Sequence, residues 1–146
     1  MTREEVLALV GEARKRGETA DLSGLDLTHV DLAHVNLSGV NLARARLHHT
    51  NLSGTGWDGL ALDGLHVCRC LLIPTPDGWR TRFGFWHGTV DELQTLIEGD
   101  NWPESKGDEI TYYRPLLQAW IDMCRAHIEA HPHVIPELAR IHGGTR

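Results

Sequence analysis

The chain has 146 residues, with 20 acidic against 14 basic side chains and a formal net charge of −6. That length suits one ordinary domain with a buried core, and the mild negative charge argues against a dedicated nucleic-acid binder, which carries a basic stripe. No apolar run of membrane-spanning length and no signal-peptide pattern occurs, and the 3 cysteines are an odd count that fits reduced thiols, so a soluble, cytoplasmic protein is expected.

In chain order, Thr2 with Glu5 three residues on reads as a capping box opening a helix. Val6, Leu7, Leu9, Val10 and Ala13 supply its apolar stripe. Arg14, Lys15 and Arg16 suit the negative end of the helix dipole, and Gly17 is the stop. Residues 1–17 are therefore predicted to be an N-terminal capping helix.

Residues 18–70 are organised by a count of five. An apolar residue recurs at Leu22, Leu27, Leu32, Leu37, Leu42, Leu47, Leu52, Trp57, Leu62 and Val67. Neither the helical period of 3.6 nor the strand period of 2 places every fifth residue on one side. A chain that turns a corner every five residues does, and fixed-period repetition of this kind marks a solenoid. The residue before the centre is Asp21, Asp26, Asp31, Asn36, Asn41 or Asn51, short polar types that hydrogen-bond local backbone in turns. The residue after it is small at Ser23, Thr28, Ala33, Ser38, Ala43 and Ser53.

The run ADLSG, VDLAH, VNLSG, VNLAR and TNLSG resembles the pentapeptide-repeat family, with its approximate consensus A(D/N)LXX. The resemblance implies a mainly β fold, a right-handed quadrilateral β-helix in which four fives make one square coil, here about 2.5 coils. It implies two stacking columns in particular, Leu22, Leu42 and Leu62, and Leu27, Leu47 and Val67. The family favours a small residue two before the centre, whereas Leu25, Val30, Val35, Val40, Leu60 and Leu65 are bulkier, which predicts wider, less regular corners. The last three fives lack the Asp or Asn, so the coil is expected to degrade there.

Residues 71–146 are predicted to be a C-terminal hairpin and helical tail. Two apolar runs, HVCRCLLI and WRTRFGFW, flank PTPDG, a hairpin joint. Trp79, Thr81, Phe83 and Phe85 share one face of the second run. Thr89 with Glu92 is a second capping box, opening a helix over Val90 to Glu98. A longer helix is predicted from about Tyr112 to Ala130, with Pro115 in its first turn and Leu117, Trp120 or Ile121, Cys124 and Ile128 on its apolar face. Pro132 ends it, and the rest to Arg146 is expected to fray. Aromatic side chains concentrate in this tail, so Trp79, Phe83, Phe85, Trp86, Trp102, Tyr112, Tyr113 and Trp120 are the candidate partner-binding residues.

Chemistry-bearing groups are sparse. His66, Cys68 and Cys70 alternate along one predicted strand face, a weak metal-ligand set, and Cys124, His127 and His131 share a helical face. His29, His34 and His49 fall at the fifth, corner position of their repeats. No nucleophile elbow, phosphate-cradling glycine loop or positioned carboxylate pair appears, so no catalytic residue and no cofactor is assigned.

A non-catalytic protein–protein interaction module is the expected function, acting as a monomer or as a homodimer through the C-terminal tail, with neither direct nucleic-acid nor membrane contact. The resemblance implies an alternative, mimicry of duplex DNA to bind DNA gyrase or another type II topoisomerase. Charge and length weigh against it, because duplex DNA carries a charge about every 1.7 Å and Asp21, Asp26 and Asp31 fall on three different faces. A small metal-binding protein or enzyme is the third expectation.

Overall fold

A computed structural model describes residues 1–65, 68–83, 86–99 and 107–142. It forms two compact units, one of residues 1–59, 73–78 and 133–146, the other of residues 60–72 and 79–132.

The first unit begins with α1, Arg3–Lys15. The Thr2 hydroxyl caps it by accepting from the Glu5 N–H at 3.2 Å. Val6, Val10 and Ala13 are buried, whereas Leu7 and Leu9 are exposed, so the predicted stripe narrows to the positions that share one helical face. Glu18 N–H bonds back to Ala13 O and Gly17 N–H to Arg14 O, with Gly17 at φ 73°, a Schellman stop.

Residues 20–57 then wind in a coil that returns every twenty residues. Parallel bridges join Asp21 to Asn41, Asp26 to Arg46, Asp31 to Asn51 and Asn36 to Gly56. In each five with an Asp or Asn before its centre, that side chain accepts from the N–H two residues on, as in Asp21 with Ser23 and Asn51 with Ser53, both at 3.0 Å. The centre's carbonyl then accepts from the N–H three residues on, as in Val30 to Leu27 at 3.0 Å. These paired local bonds turn the chain and aim the centre inward, so Leu22, Leu27, Leu32, Leu37, Leu42 and Leu47 are fully buried.

The turn needs a positive φ at its third residue. Gly24, Gly39 and Gly54 supply it freely, but His29, His34, Arg44 and His49 also adopt φ between 56° and 64°. The left-handed region costs a non-glycine residue about 1–2 kcal/mol. The inter-coil bonds His29 N–H to His48 O and His34 N–H to Ser53 O help hold the backbone there. The bulky residues two before the centre do not widen the corners. The turn bond at Val35, 3.1 Å, matches that at Ala45, 3.1 Å, because Val30, Val35 and Val40 point inward with Ala45 and Thr50 and add to the core.

Helix α1 covers an otherwise open edge of the first coil. Arg3 donates to Asp31 O at 2.9 Å and Ala33 O at 3.1 Å, and Arg14 donates to Asn36 O at 2.8 Å. These carbonyls face away from the second coil, and the guanidinium groups satisfy them as a further strand would.

The coil is shorter than the count of fives suggests. At Trp57 the preceding residue is Gly56, which has no side chain to make the local turn bond. From Leu60 the chain becomes β1, Leu60–Leu65, paired antiparallel with β2, Cys68–Thr75, so that Leu62 faces Cys70 across the ladder. Leu62 therefore does not extend the Leu22 and Leu42 column, and Val67 lies outside the described residues. The sequence LALDGL satisfies the period of two as well as the period of five, and strand pairing wins.

The sheet continues through β3, Gly78–Phe83, and β4, Trp86–Gly88, in the order β1-β2-β3-β4. Thr75 and Gly78 close the hairpin joint, the Thr75 hydroxyl donating to Gly78 O at 2.7 Å. Helix α2, Val90–Glu98, has both halves of its capping box. Helix α3, Gly107–Ala130, begins earlier than expected, so Pro115 is an interior residue with its ring exposed rather than a first-turn residue. Leu117, Trp120, Ile121 and Cys124 of α3 pack with Val90, Leu93 and Ile97 of α2 and with Cys70 and Leu72 of β2 to form the core of the second unit.

The expected frayed end is instead α4, Val134–His142, with Pro136 in its first turn and Val134 and Leu138 buried. It belongs to the first unit, where Leu138 lines one cleft with Leu37, Val40, Leu42, Trp57 and Pro74. The His142 ring sits 3.0 Å from Gly39 O. The repeat unit thus includes residues 73–78 and 133–142 from beyond the expected boundary at residue 70, while residues 60–72 belong to the second unit.

Candidate functional site

The aromatic residues singled out in the tail divide into core and surface. Trp120 is buried, and Trp79, Phe83, Trp86 and Tyr113 pack half-buried against the core of the second unit. Phe85 and Trp102 lie outside the described residues. Tyr112 alone of the described set is an exposed large side chain, at 64 %. A unit built on a small sheet and two helices draws on its largest apolar groups for its own core, which leaves few for a partner.

Thr81 sits under that core as a polar hinge. Its hydroxyl donates to Leu71 O at 2.9 Å and accepts from the Trp120 indole N–H at 3.0 Å. Cys124 and Cys70 are buried beside it and form no disulfide. Burial, with Cys70 nearby, pushes the Cys124 thiol up to about 12, so it stays protonated and inert as nucleophile or metal ligand at neutral pH.

The metal candidates do not assemble among the described residues. His66 and the side chain of Cys68 lie outside them, and no group of three or more His, Cys, Asp or Glu side chains with metal-binding geometry occurs among the rest. Cys124 lies in the core of the second unit. The imidazoles of His127 and His131 stack on each other at 4.0 Å, and Trp79 meets His127 edge-on at 5.6 Å. On the repeat, His29 stacks on His49 at 5.0 Å, almost parallel, one coil apart at the same corner.

The surface feature that the sequence reading missed is on α3. Tyr112, Leu116, Ala119, Met123, Ala126 and Ala130 are all exposed and follow one another at spacings of four and three. Leu116 is 40 % and Met123 47 % exposed. Such spacing draws one stripe along a helix. The stripe is separate from the inward one of buried Leu117, Trp120, Ile121 and Cys124 with half-buried Ile128. On the far side of the buried stripe runs a polar face that ties α3 to α2. Arg114 donates to Ile97 O and Gly99 O, Gln118 and Gln94 exchange two amide hydrogen bonds, and Arg125 donates to Asp91 and Gln94. The 4-3 pattern was present in the sequence, hidden by the adjacent core stripe.

Residues 20–55 match the family model described as pentapeptide repeats, in 8 copies. This segment is a run of pentapeptide repeats. No curated protein and no solved structure matches the chain. The 8 copies end where the pentapeptide-repeat coil makes its last bridge, near Gly56, and the count of ten fives is corrected accordingly. Of the expected repeat core, Leu52 is buried and Trp57 half-buried, while Leu62 packs half-buried in the second unit. Among the described residues, no helix is long and apolar enough to cross a membrane.

Proposed function

We propose that this pentapeptide-repeat protein is a non-catalytic protein-interaction module whose docking face is the outward stripe of α3. The observation that carries this reading is the exposure of Tyr112, Leu116 and Met123 on one helical face, since contiguous exposed apolar surface marks interaction sites. The repeat segment is read as a quadrilateral β-helix of two turns, supported by parallel bridges offset by four fives. Cys70 and Cys124, buried and in no disulfide, fit a reducing, cytoplasmic compartment.

Topoisomerase binding by DNA mimicry has less support. Asp21 stacks over Asn41, Asp26 over Arg46 and Asp31 over Asn51, so none of these three acidic side chains is paired with a second one in its column. A duplex decoy needs a repeated negative charge about every 1.7 Å.

The test is a pull-down from cell extract with the full chain and with a Leu116→Glu/Met123→Glu double variant whose fold is checked by circular dichroism. Proteins retained by the first and lost by the second are expected. An identical retained set would overturn the reading.

A further inference from the structure

We propose that the outer edge of the first coil, at Asp21–Ser23 and Asp26–Thr28, is a docking site for arginine side chains of a partner protein. The site lies on the repeat, and its argument stands apart from the α3 reading above.

The ladder between the coils decides which backbone groups are left over. In the first coil the N–H groups of Leu22, Gly24, Leu27, His29, Leu32 and His34 all donate to the second coil. Across each trans peptide the carbonyl of the preceding residue points the opposite way. The carbonyls of Asp21 and Ser23, of Asp26 and Thr28, and of Asp31 and Ala33 therefore form equivalent pairs on the outer edge. Each pair stands beside the carboxylate of its own Asp. Those carboxylates are held in place by their turn bonds, at 3.0 Å from the N–H of Ser23, Thr28 and Ala33.

The molecule itself shows what fits such a pair. One guanidinium nitrogen of Arg3 donates to Asp31 O at 2.9 Å and to Ala33 O at 3.1 Å, and lies 3.7 Å from the Asp31 carboxylate. Arg14 donates to Asn36 O in the next five. Helix α1 thus brings arginine to these two fives and leaves the first two uncovered. Among the described residues, nothing donates to Asp21 O, Ser23 O, Asp26 O or Thr28 O, and both Asp side chains are exposed. Arg46 and the Met1 amino group act on the Asp26 carboxylate, and His142 on that of Asp21, without bonding to these carbonyls. An unpaired edge is a template for pairing. Acceptors flanked by carboxylates select a cationic donor and repel acidic segments and phosphates. A guanidinium suits them better than an ammonium, because it is less hydrated and its fork reaches carbonyl and carboxylate together.

The test is a titration of the full chain with a capped synthetic peptide in which Gly-Ser-Gly separates a pair of arginines, followed by heteronuclear NMR. Saturating shifts are expected at the amides of Leu22, Ser23 and Gly24 and of Leu27, Thr28 and His29. The same peptide with lysines should bind at least about three-fold more weakly. Asp21→Asn combined with Asp26→Asn removes the charge and keeps the turns, since Asn36, Asn41 and Asn51 make the same local bond at the same place. This double variant should keep its circular dichroism and bind the arginine peptide about ten-fold more weakly. Three results would each overturn the proposal: no saturable shift at these amides, equal binding of the two peptides, or undiminished binding by the double variant.

Discussion

The indole N–H of Trp120 donates to the hydroxyl of Thr81 at 3.0 Å, and both residues are buried. Thr81 passes the connection on to Leu71 O, so one hydroxyl links α3, β3 and β2 inside an otherwise apolar core. Removing it leaves a buried donor and a buried acceptor short of partners, which costs about 1–3 kcal/mol per unsatisfied group. Thr81→Val is expected to lower denaturant stability by about 2 kcal/mol or more, and Thr81→Ser, which keeps the hydroxyl, by much less. Equal losses for the two would show that shape matters there and hydrogen bonding does not. Trp120→Ala empties more of the same core and is expected to cost about 3–5 kcal/mol by the same measurement.

Leu42 is fully enclosed in the second coil. A carboxylate there has no partner in an apolar column, and burying an unpaired charge is far costlier than the stability of a typical domain allows. Leu42→Asp is expected to abolish the cooperative thermal transition of the repeat unit. A melting temperature within a few degrees of the parent would show that the inward phase has been misassigned.

Arg44 and His29 both hold left-handed backbone, at φ 60° and φ 64°. Glycine relieves that strain, so Arg44→Gly is expected to stabilise the chain by up to about 1 kcal/mol. His29→Gly gains the same relief but loses the ring stack on His49, and should gain less. Thermal melts of the two variants check the order, and a larger gain for His29→Gly would mean that the stack contributes nothing.

The Cys124 thiol, pushed up to about 12 in the fold by burial, titrates near 8.5 once unfolded. The unfolded chain therefore releases this proton first as pH rises, and folding stability contributed by the neutral thiol declines from about 8.5 towards about 12. Cys124→Ala is expected to flatten the fall in urea midpoint between pH 8 and pH 10. In the native parent chain, alkylation at pH 8 followed by peptide mapping should find Cys70 and Cys124 protected. Rapid labelling of either would contradict their burial.

Much of this fold was legible because the repeat encodes itself redundantly. At Asp21–Leu22 or Asn51–Leu52 the turn-making side chain and the inward apolar residue stand together, so phase, turn and core agree. Legibility failed where two periods coincided. Leu60 and Leu62 fit the five-residue count and a strand equally well, and only the pairing with β2 decides between them. Helix α4 was missed although Val134, Leu138 and Ile141 have helical spacing, because the chain beyond Pro132 reads as frayed; Pro136 sits in the first turn of α4, where proline is tolerated. The exposed stripe of α3 was missed for a related reason. On α3 two apolar stripes run side by side, and sequence alone does not say which of them the sheet covers.

The chain has 2 methionines, and they provide the most direct test of the α3 face. Met123, on the stripe, is 47 % exposed, and Met1, at the other end of the sequence, is 43 % exposed. Mild peroxide should therefore convert both to sulfoxide at similar rates in dilute purified protein. With partner protein from extract present, oxidation of Met123 is expected to slow several-fold while Met1 is unchanged. Equal rates for the two under every condition would contradict the claim that the outward face of α3 is where this protein binds.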